Sequence, residues 1–198
     1  MYDFVKETER IYRLKVPFMS VYTSVFLVIS GKTLILVDCA TTAQDVKEHI
    51  VPALGRLGYT PSDVGYLVLT HGHEDHAGGL DALRALAPGA RVVREEASLC
   101  DGIATYSLRG HTCDCIGLLD EEEGTLITGD GIQGAGIGKF RCSLESKSGY
   151  LATLERLKAD TRITTLLLSH EYEPWYRDSI RGRRQIEACL ADCLDYVK

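Results

Sequence analysis

Four candidate metal ligands, His71, His73, Asp75 and His76, fall within six residues, His71-Gly72-His73-Glu74-Asp75-His76, and two glycines, Gly78 and Gly79, follow closely. A neutral imidazole is a good ligand for zinc and its neighbours, and a carboxylate adds a harder oxygen. Crowded together in an apolar protein, these groups would repel or go unsatisfied unless something cationic bound them. The chain has 6 His and 14 Asp in 198 residues. At that composition the pattern H-x-H-x-D-H arises by chance in roughly one such chain in a few thousand, so composition does not account for it. The chemistry to expect is metal-assisted.

The hexapeptide follows an apolar run at 66–69. Runs at 25–29, 34–37, 116–119 and 166–168 have the same character, short and bounded by Gly, Asp, Ser or Thr, and read as buried strands. Val46, Ile50, Leu54 and Leu57 recur at helical spacing, with Pro52 placed to kink or restart that helix. Leu80, Leu83 and Leu86 make a second stripe closed by Pro88-Gly89. Leu151, Leu154 and Leu157 make a third, and residues 178–197 a fourth. Residues 10–37 are strand after strand without a helix, and helices separate strands only later. That mixture favours packed sheets covered by helices over a doubly wound sheet.

The length suits one domain over residues 1–198, and 45% apolar with 25% charged residues is the balance of an ordinary globular protein. No apolar run is long enough to span a bilayer, and residues 1–10 are too polar for a secretory signal. The expectation is a cytoplasmic protein without a membrane partner. A net charge of −6 argues against nucleic acid. The one basic cluster, Arg181, Arg183 and Arg184, reads as the solvated start of a C-terminal helix. Seven cysteines (39, 100, 113, 115, 142, 189 and 193) lack the paired spacing of a structural zinc site and read as reduced thiols. Cys189 and Cys193 share an apolar stripe with Ile186, Leu190, Leu194 and Val197, where a free cysteine packs as a small hydrophobe. Cys113 and Cys115 read as core or loop residues, with metal ligation or redox control the lesser alternative. His49 is mid-helix, exposed and outside any site.

The hexapeptide resembles the signature of the metallo-β-lactamase-fold superfamily, and the other elements of that family stand in its order. Val37-Asp38 is similar to its early strand-end aspartate and Gly110-His111-Thr112 to its third-histidine turn. Leu126-Ile127-Thr128-Gly129-Asp130 looks like the strand delivering a bridging aspartate, and Leu168-Ser169-His170 like the strand end with the last histidine. The likeness covers roughly residues 20–175. It implies an α/β (α+β) fold, a four-layer αβ/βα sandwich of two mainly antiparallel or mixed sheets flanked by helices.

Carried over residue by residue, the resemblance implies two divalent ions, zinc first, with manganese or iron as alternatives. His71, His73 and His111 would hold one, Asp75, His76 and His170 the other, and Asp130 would bridge them. Asp38 reads equally as a turn residue or as one that orients a ligand by hydrogen bonding. The family's chemistry is hydrolysis by a metal-bound hydroxide, available at neutral pH because a metal lowers the pKa of water to ~7. Asp75 and Asp130 would be its catalytic carboxylates. The expected substrate is a small molecule, anionic or carbonyl-bearing: a thioester, ester, lactone or relative.

Residues 129–140 are similar to the stretch after the bridging aspartate in glyoxalase II, which hydrolyses a glutathione thioester. Lys139 there aligns with a lysine that contacts the substrate carboxylate, and a solvated loop lysine is the even alternative. The chain departs from the family at Cys39-Ala40, where Thr-Gly is common, and at Cys113-Asp114-Cys115, where Pro-Gly-Ser is common. The branch implied is a small glyoxalase-II-like hydrolase. The main alternative is a mononuclear iron persulfide dioxygenase. A phosphodiesterase or nuclease, and a non-catalytic metal-binding protein, stand behind it.

Overall fold

A computed structural model describes residues 2–133, 144–171 and 177–197. The chain divides into two compact units, Met1–Arg94 and Glu95–Lys198.

The first unit holds a six-stranded sheet in chain order. Strands β1 (Val5–Lys6), β2 (Ile11–Phe18), β3 (Val21–Ser30) and β4 (Thr33–Val37) pair antiparallel, as the helix-free run at 10–37 requires. The chain then turns helical through α1 (Ala43–Asp45), a π-helical turn (Val46–Ile50) and α2 (Val51–Arg56). It returns as β5 (Val64–Val68), parallel to β4. After α3 (Glu74–Ala77) and α4 (Leu80–Leu86) comes β6 (Arg91–Val93), parallel to β5.

Alternation explains the packing of this sheet. Leu27 sits opposite Leu36, and Leu36 opposite Leu67, so one face is a row of leucines. Val46, Ile50 and Leu54 cover that face together with Leu83 of α4. Each such side chain stabilises the unit by roughly 1.5–3 kcal/mol when fully buried. Thr42 starts the helical stretch, its hydroxyl accepting from the Asp45 amide at 3.0 Å. Pro52 acts as expected: the Val51 amide reaches back five residues to the Val46 carbonyl, and α2 starts around the proline, which has no amide to give.

The second unit repeats the scheme. Its sheet runs β12-β11-β10-β9-β8-β7. Strands β7 (Ser98–Cys100), β8 (Ile103–Ser107), β9 (Ile116–Asp120) and β10 (Thr125–Ile127) are antiparallel neighbours. Helix α5 (Lys147–Ala159) leads to β11 (Thr165–Leu167), parallel to β10. Then come β12 (Ser179–Arg181), antiparallel to β11, and α6 (Arg183–Val197). Leu119, Leu126 and Leu166 of the sheet pack with Tyr150, Leu154 and Leu157 of α5 and with Ile186, Cys189, Leu190 and Cys193 of α6. Both α6 cysteines are therefore core, as their stripe predicts.

One element differs from the reading of the sequence. The apolar pattern at 178–197 is not one helix: Ser179–Arg181 is a strand, Gly182 turns at φ 88°, and the helix starts at Arg183. The period-2 stretch is too short to stand out against the strong helical stripe beside it. The basic cluster is thereby split, and Arg183 is no solvated side chain. Its guanidinium donates to the carbonyls of Leu157, Lys158, Asp160 and Ile163 at 2.9–3.3 Å.

Candidate metal centre

In the first unit the ligand-bearing segment hangs from the end of β5. The Leu69 amide still donates to Val93 in sheet fashion, at 3.0 Å, and at Thr70 the pairing passes to a side chain. That side chain is Asp38, just beyond β4. Its backbone adopts φ 65°, a left-handed conformation that aspartate tolerates better than most residues. Its carboxylate accepts from the Thr70 amide at 2.8 Å, the Thr70 hydroxyl at 2.8 Å and His76 Nδ1 at 2.7 Å. Asp38 thus both turns the chain after β4 and holds Thr70 and His76 by hydrogen bonds.

The contact decides a proton position. A carboxylate can only accept, so Nδ1 of His76 carries a hydrogen, and Nε2 is the nitrogen left for a metal. Asp75 Oδ2 lies 3.3 Å from that Nε2. The His71 ring is 4.3 Å from the His76 ring and 4.6 Å from the His73 ring, centroid to centroid. His71 and His76 are buried and His73 is exposed. Four potential ligands of the hexapeptide are thus gathered within one unit.

The two glycines after the hexapeptide have a steric reason. A Cβ on Gly78 would stand 1.9 Å from the Thr41 carbonyl oxygen, and one on Gly79 2.1 Å from that of Cys39. The backbone around Asp38 lies directly on them. No side chain fits there.

The second unit gathers the other three. His111 sits in a turn pinned by the start of α5: the Ser146 amide donates to Gly110 O at 3.1 Å and the Glu145 amide to His111 O at 3.3 Å. Gly110 has φ 150° and lies against Tyr150, where a Cβ would come within 2.6 Å of the tyrosine's own. Asp130 follows β10, held where the Thr128 amide donates to Leu167 at 2.9 Å. His170 follows β11. Asp130 Oδ1 lies 3.2 Å from His170 Nε2, and Asp130 Oδ2 lies 3.8 Å from His111 Nε2. All three residues are at least 95% buried. One oxygen thus faces each imidazole, the arrangement a carboxylate shared between two cations needs.

This donor set fits a divalent metal. Buried imidazoles are set against carboxylate oxygens, and at His76 the hydrogen bond behind the ring turns Nε2 toward Asp75.

Other expected positions fall elsewhere. Cys115 is buried, its Sγ 3.0 Å from Thr112 Oγ1, while Cys113 is exposed and its amide donates to Glu145. Among the described residues no cysteine joins a group of potential metal ligands. His49 is half-buried rather than exposed, packed edge-on against Tyr2 and 3.9 Å from Asp45. A helical wheel cannot foresee this, because the covering residue comes from the start of the chain. Lys139, its glycine-rich segment and Cys142 lie outside the described residues. Thr70 went unnoticed in the sequence; its one signal is a hydroxyl residue between an apolar strand and a histidine.

Residues 20–99 match the family described as the Metallo-beta-lactamase superfamily. A beta-lactamase-like protein 2 homolog from Caenorhabditis elegans is 31% identical over 176 residues, 78% of this chain and 57% of the relative. The chain belongs to the metallo-β-lactamase superfamily. Among other members, an atrochrysone carboxyl ACP thioesterase from Pseudocercospora fijiensis is 29% identical, with 73% of this chain and 53% of the relative covered. A hydroxyacylglutathione hydrolase from Legionella pneumophila is 25% identical, with 67% and 57% covered. The chain spans about half the length of the curated relatives it matches. The crystal structure of the metallo-β-lactamase FIM-1 from Pseudomonas aeruginosa, in its mono-zinc form, matches with a TM-score of 0.77. The match covers 99% of this chain and 96% of that one at 17% identity. That likeness speaks for the fold, and the fold class is the expected α/β sandwich of this superfamily, with two mixed sheets flanked by helices. Among the described residues no helix is long and apolar enough to cross a membrane.

Proposed function

We propose that this superfamily member is a metal-dependent hydrolase of a small carbonyl substrate, a thioester first, with both units acting as one domain. His71, His73 and His111 would hold one divalent ion, Asp75, His76 and His170 would hold a second, and Asp130 would serve both. Zinc suits a set of imidazoles with few carboxylates. The observation that carries this reading is the two-sided contact of Asp130, one oxygen toward His170 and the other toward His111. The thioester is favoured by the P. fijiensis relative, named a thioesterase, and by the likeness of residues 129–140 to glyoxalase II.

When bound, the ions lower the pKa of water and polarise a carbonyl oxygen. The protein's own part is positioning. Asp38 keeps the His76 proton on Nδ1, Asp75 is placed to orient a water and accept its proton, and Lys139 receives the carboxylate of an acidic substrate.

The test is metal analysis of gently purified protein, followed by thioester, lactone and phosphodiester substrates on the same sample. Two zinc or manganese ions per chain and thioester turnover are expected. Asp130→Ala should lower metal content and cost well over tenfold in turnover, since changes one shell further out already cost ~10–100-fold. A single iron with oxygen uptake on a persulfide would replace this reading with the dioxygenase.

A further inference from the structure

The Asp38 carboxylate meets the ligand segment at more than His76. Thr70 Oγ1 lies 2.8 Å from Asp38 Oδ2 and 3.2 Å from His71 Nδ1. Thr70 and Asp38 are each 1% exposed, so bulk water does not compete for these bonds. A hydroxyl has one hydrogen to give and can also accept. Were it given to His71, a lone pair of the hydroxyl would face the carboxylate oxygen at 2.8 Å, an unscreened repulsion in a buried place. The hydrogen must go to Asp38, where the bond is charge-assisted and the distance shorter. The hydroxyl then accepts, and the atom facing it, His71 Nδ1, is the donor. His71 is thereby held with its hydrogen on Nδ1 and its lone pair on Nε2.

We propose that Thr70 is a positioning residue that relays the hold of Asp38 to His71, so that one buried carboxylate fixes the tautomers of two histidines. His76 is set directly and His71 through the hydroxyl. The inference rests on the reading above that these two histidines are ligands, and there they serve different ions. Two consequences follow. Asp38 governs both ions, whereas Thr70 governs only the one held by His71. The relay also needs a hydroxyl and not a β-branched shape, so serine can replace threonine and valine cannot.

The experiment compares wild type, Thr70→Val, Thr70→Ser and Asp38→Asn, each stripped with a chelator and titrated with zinc against a chromophoric competitor. Thr70→Val should lose 10–100-fold in affinity at one ion, the scale seen when the partner behind a metal-bound histidine is removed. The other ion should stay within about twofold, since its ligand His76 keeps its own bond to Asp38. Thr70→Ser should restore both affinities, and Asp38→Asn should weaken both. Equal loss at both ions in Thr70→Val, wild-type binding in that variant, or failure of serine to rescue overturns the relay.

A second measurement needs neither metal nor a variant. Ring-nitrogen NMR of ¹⁵N-histidine-labelled apo protein at pH 8 should place the His71 hydrogen on Nδ1. Finding it on Nε2 overturns the relay even if Thr70→Val fails to fold. Wild-type protein that takes up no metal while His71 shows the Nδ1–H form would sink the proposed function and leave the relay standing.

Discussion

At Cys115 burial outweighs hydrogen bonding. Desolvation pushes the thiol up, the contacts with Thr112 pull it down, and the balance lies at about 11 against an ordinary 9.0. The folded protein therefore binds this proton more tightly than the unfolded chain does. Stability from that difference is whole below pH 9, falls as pH rises through the window from 9 to 11, and is lost above it. Cys115→Ala should flatten part of the alkaline decline, on the order of 1–2 kcal/mol, in denaturant titrations run at pH 8 and pH 11. An identical slope in the variant would show that other groups carry the decline. Cys113 offers the contrast, being exposed. At pH 7.5 a thiol reagent followed by peptide mapping should label Cys113 within minutes and reach Cys39, Cys115, Cys189 and Cys193 only on unfolding. Two cysteines two positions apart looked alike in the sequence. The difference is tertiary: residue 115 enters β9 facing the α5 core, and residue 113 stays at the tip of the turn.

Among elements, the junctions carry the tightest constraints. The segment after β4 rests on the backbone of Gly78 and Gly79, so Gly79→Ala forces a Cβ into the Cys39 carbonyl. It should cost at least ~1–3 kcal/mol in urea unfolding, the range for overpacking, because backbone atoms cannot rotate away. A variant as stable as wild type would mean that the two segments part without penalty. The join of α5 to α6 depends on Arg183, whose guanidinium serves four carbonyls at the end of α5 and the turn after it. Arg183→Ala should destabilise by about 2 kcal/mol, as for hydrogen bonds to a charged group. Arg183→Lys should recover less than half, since an ammonium cannot span the same fork. Helices α4 and α5, the core strands and the interruption at Pro52 were all legible from periodicity. Strand β12 and the Arg183 clasp were not. One is three residues long beside a fifteen-residue helical stripe, and the other pairs a side chain with carbonyls that residue types do not reveal.

For the whole molecule, the chemistry was more legible than the architecture around it. The hexapeptide offered four candidate ligands of two types from spacing alone, and the family likeness supplied His111, Asp130 and His170. The division into two units with like-ordered sheets left no mark in the sequence, because strand pairing repeats without residue identity repeating. Each unit carries two of the candidate site residues at one address, just past the carboxyl ends of two neighbouring parallel strands, and only His111 of the second unit stands apart, in the turn before β9. In the first these are β4 and β5, followed by Asp38 and His71; in the second β10 and β11, followed by Asp130 and His170. If metal is bound at a hundred times its dissociation constant, the loaded protein should gain about 2.7 kcal/mol, read as a higher Tm that a chelator abolishes. The hydrogen-bond ladders under these addresses are made by backbone atoms alone, with no ligand side chain in them. Amide exchange along β5 and β10 should therefore be as slow in stripped protein as in loaded protein, with protection gained only in the turns beyond them. On that outcome an arriving ion would meet a frame already rigid and have little chain entropy to overcome. Loading would be governed by how fast water leaves the ion and not by how fast the protein rearranges.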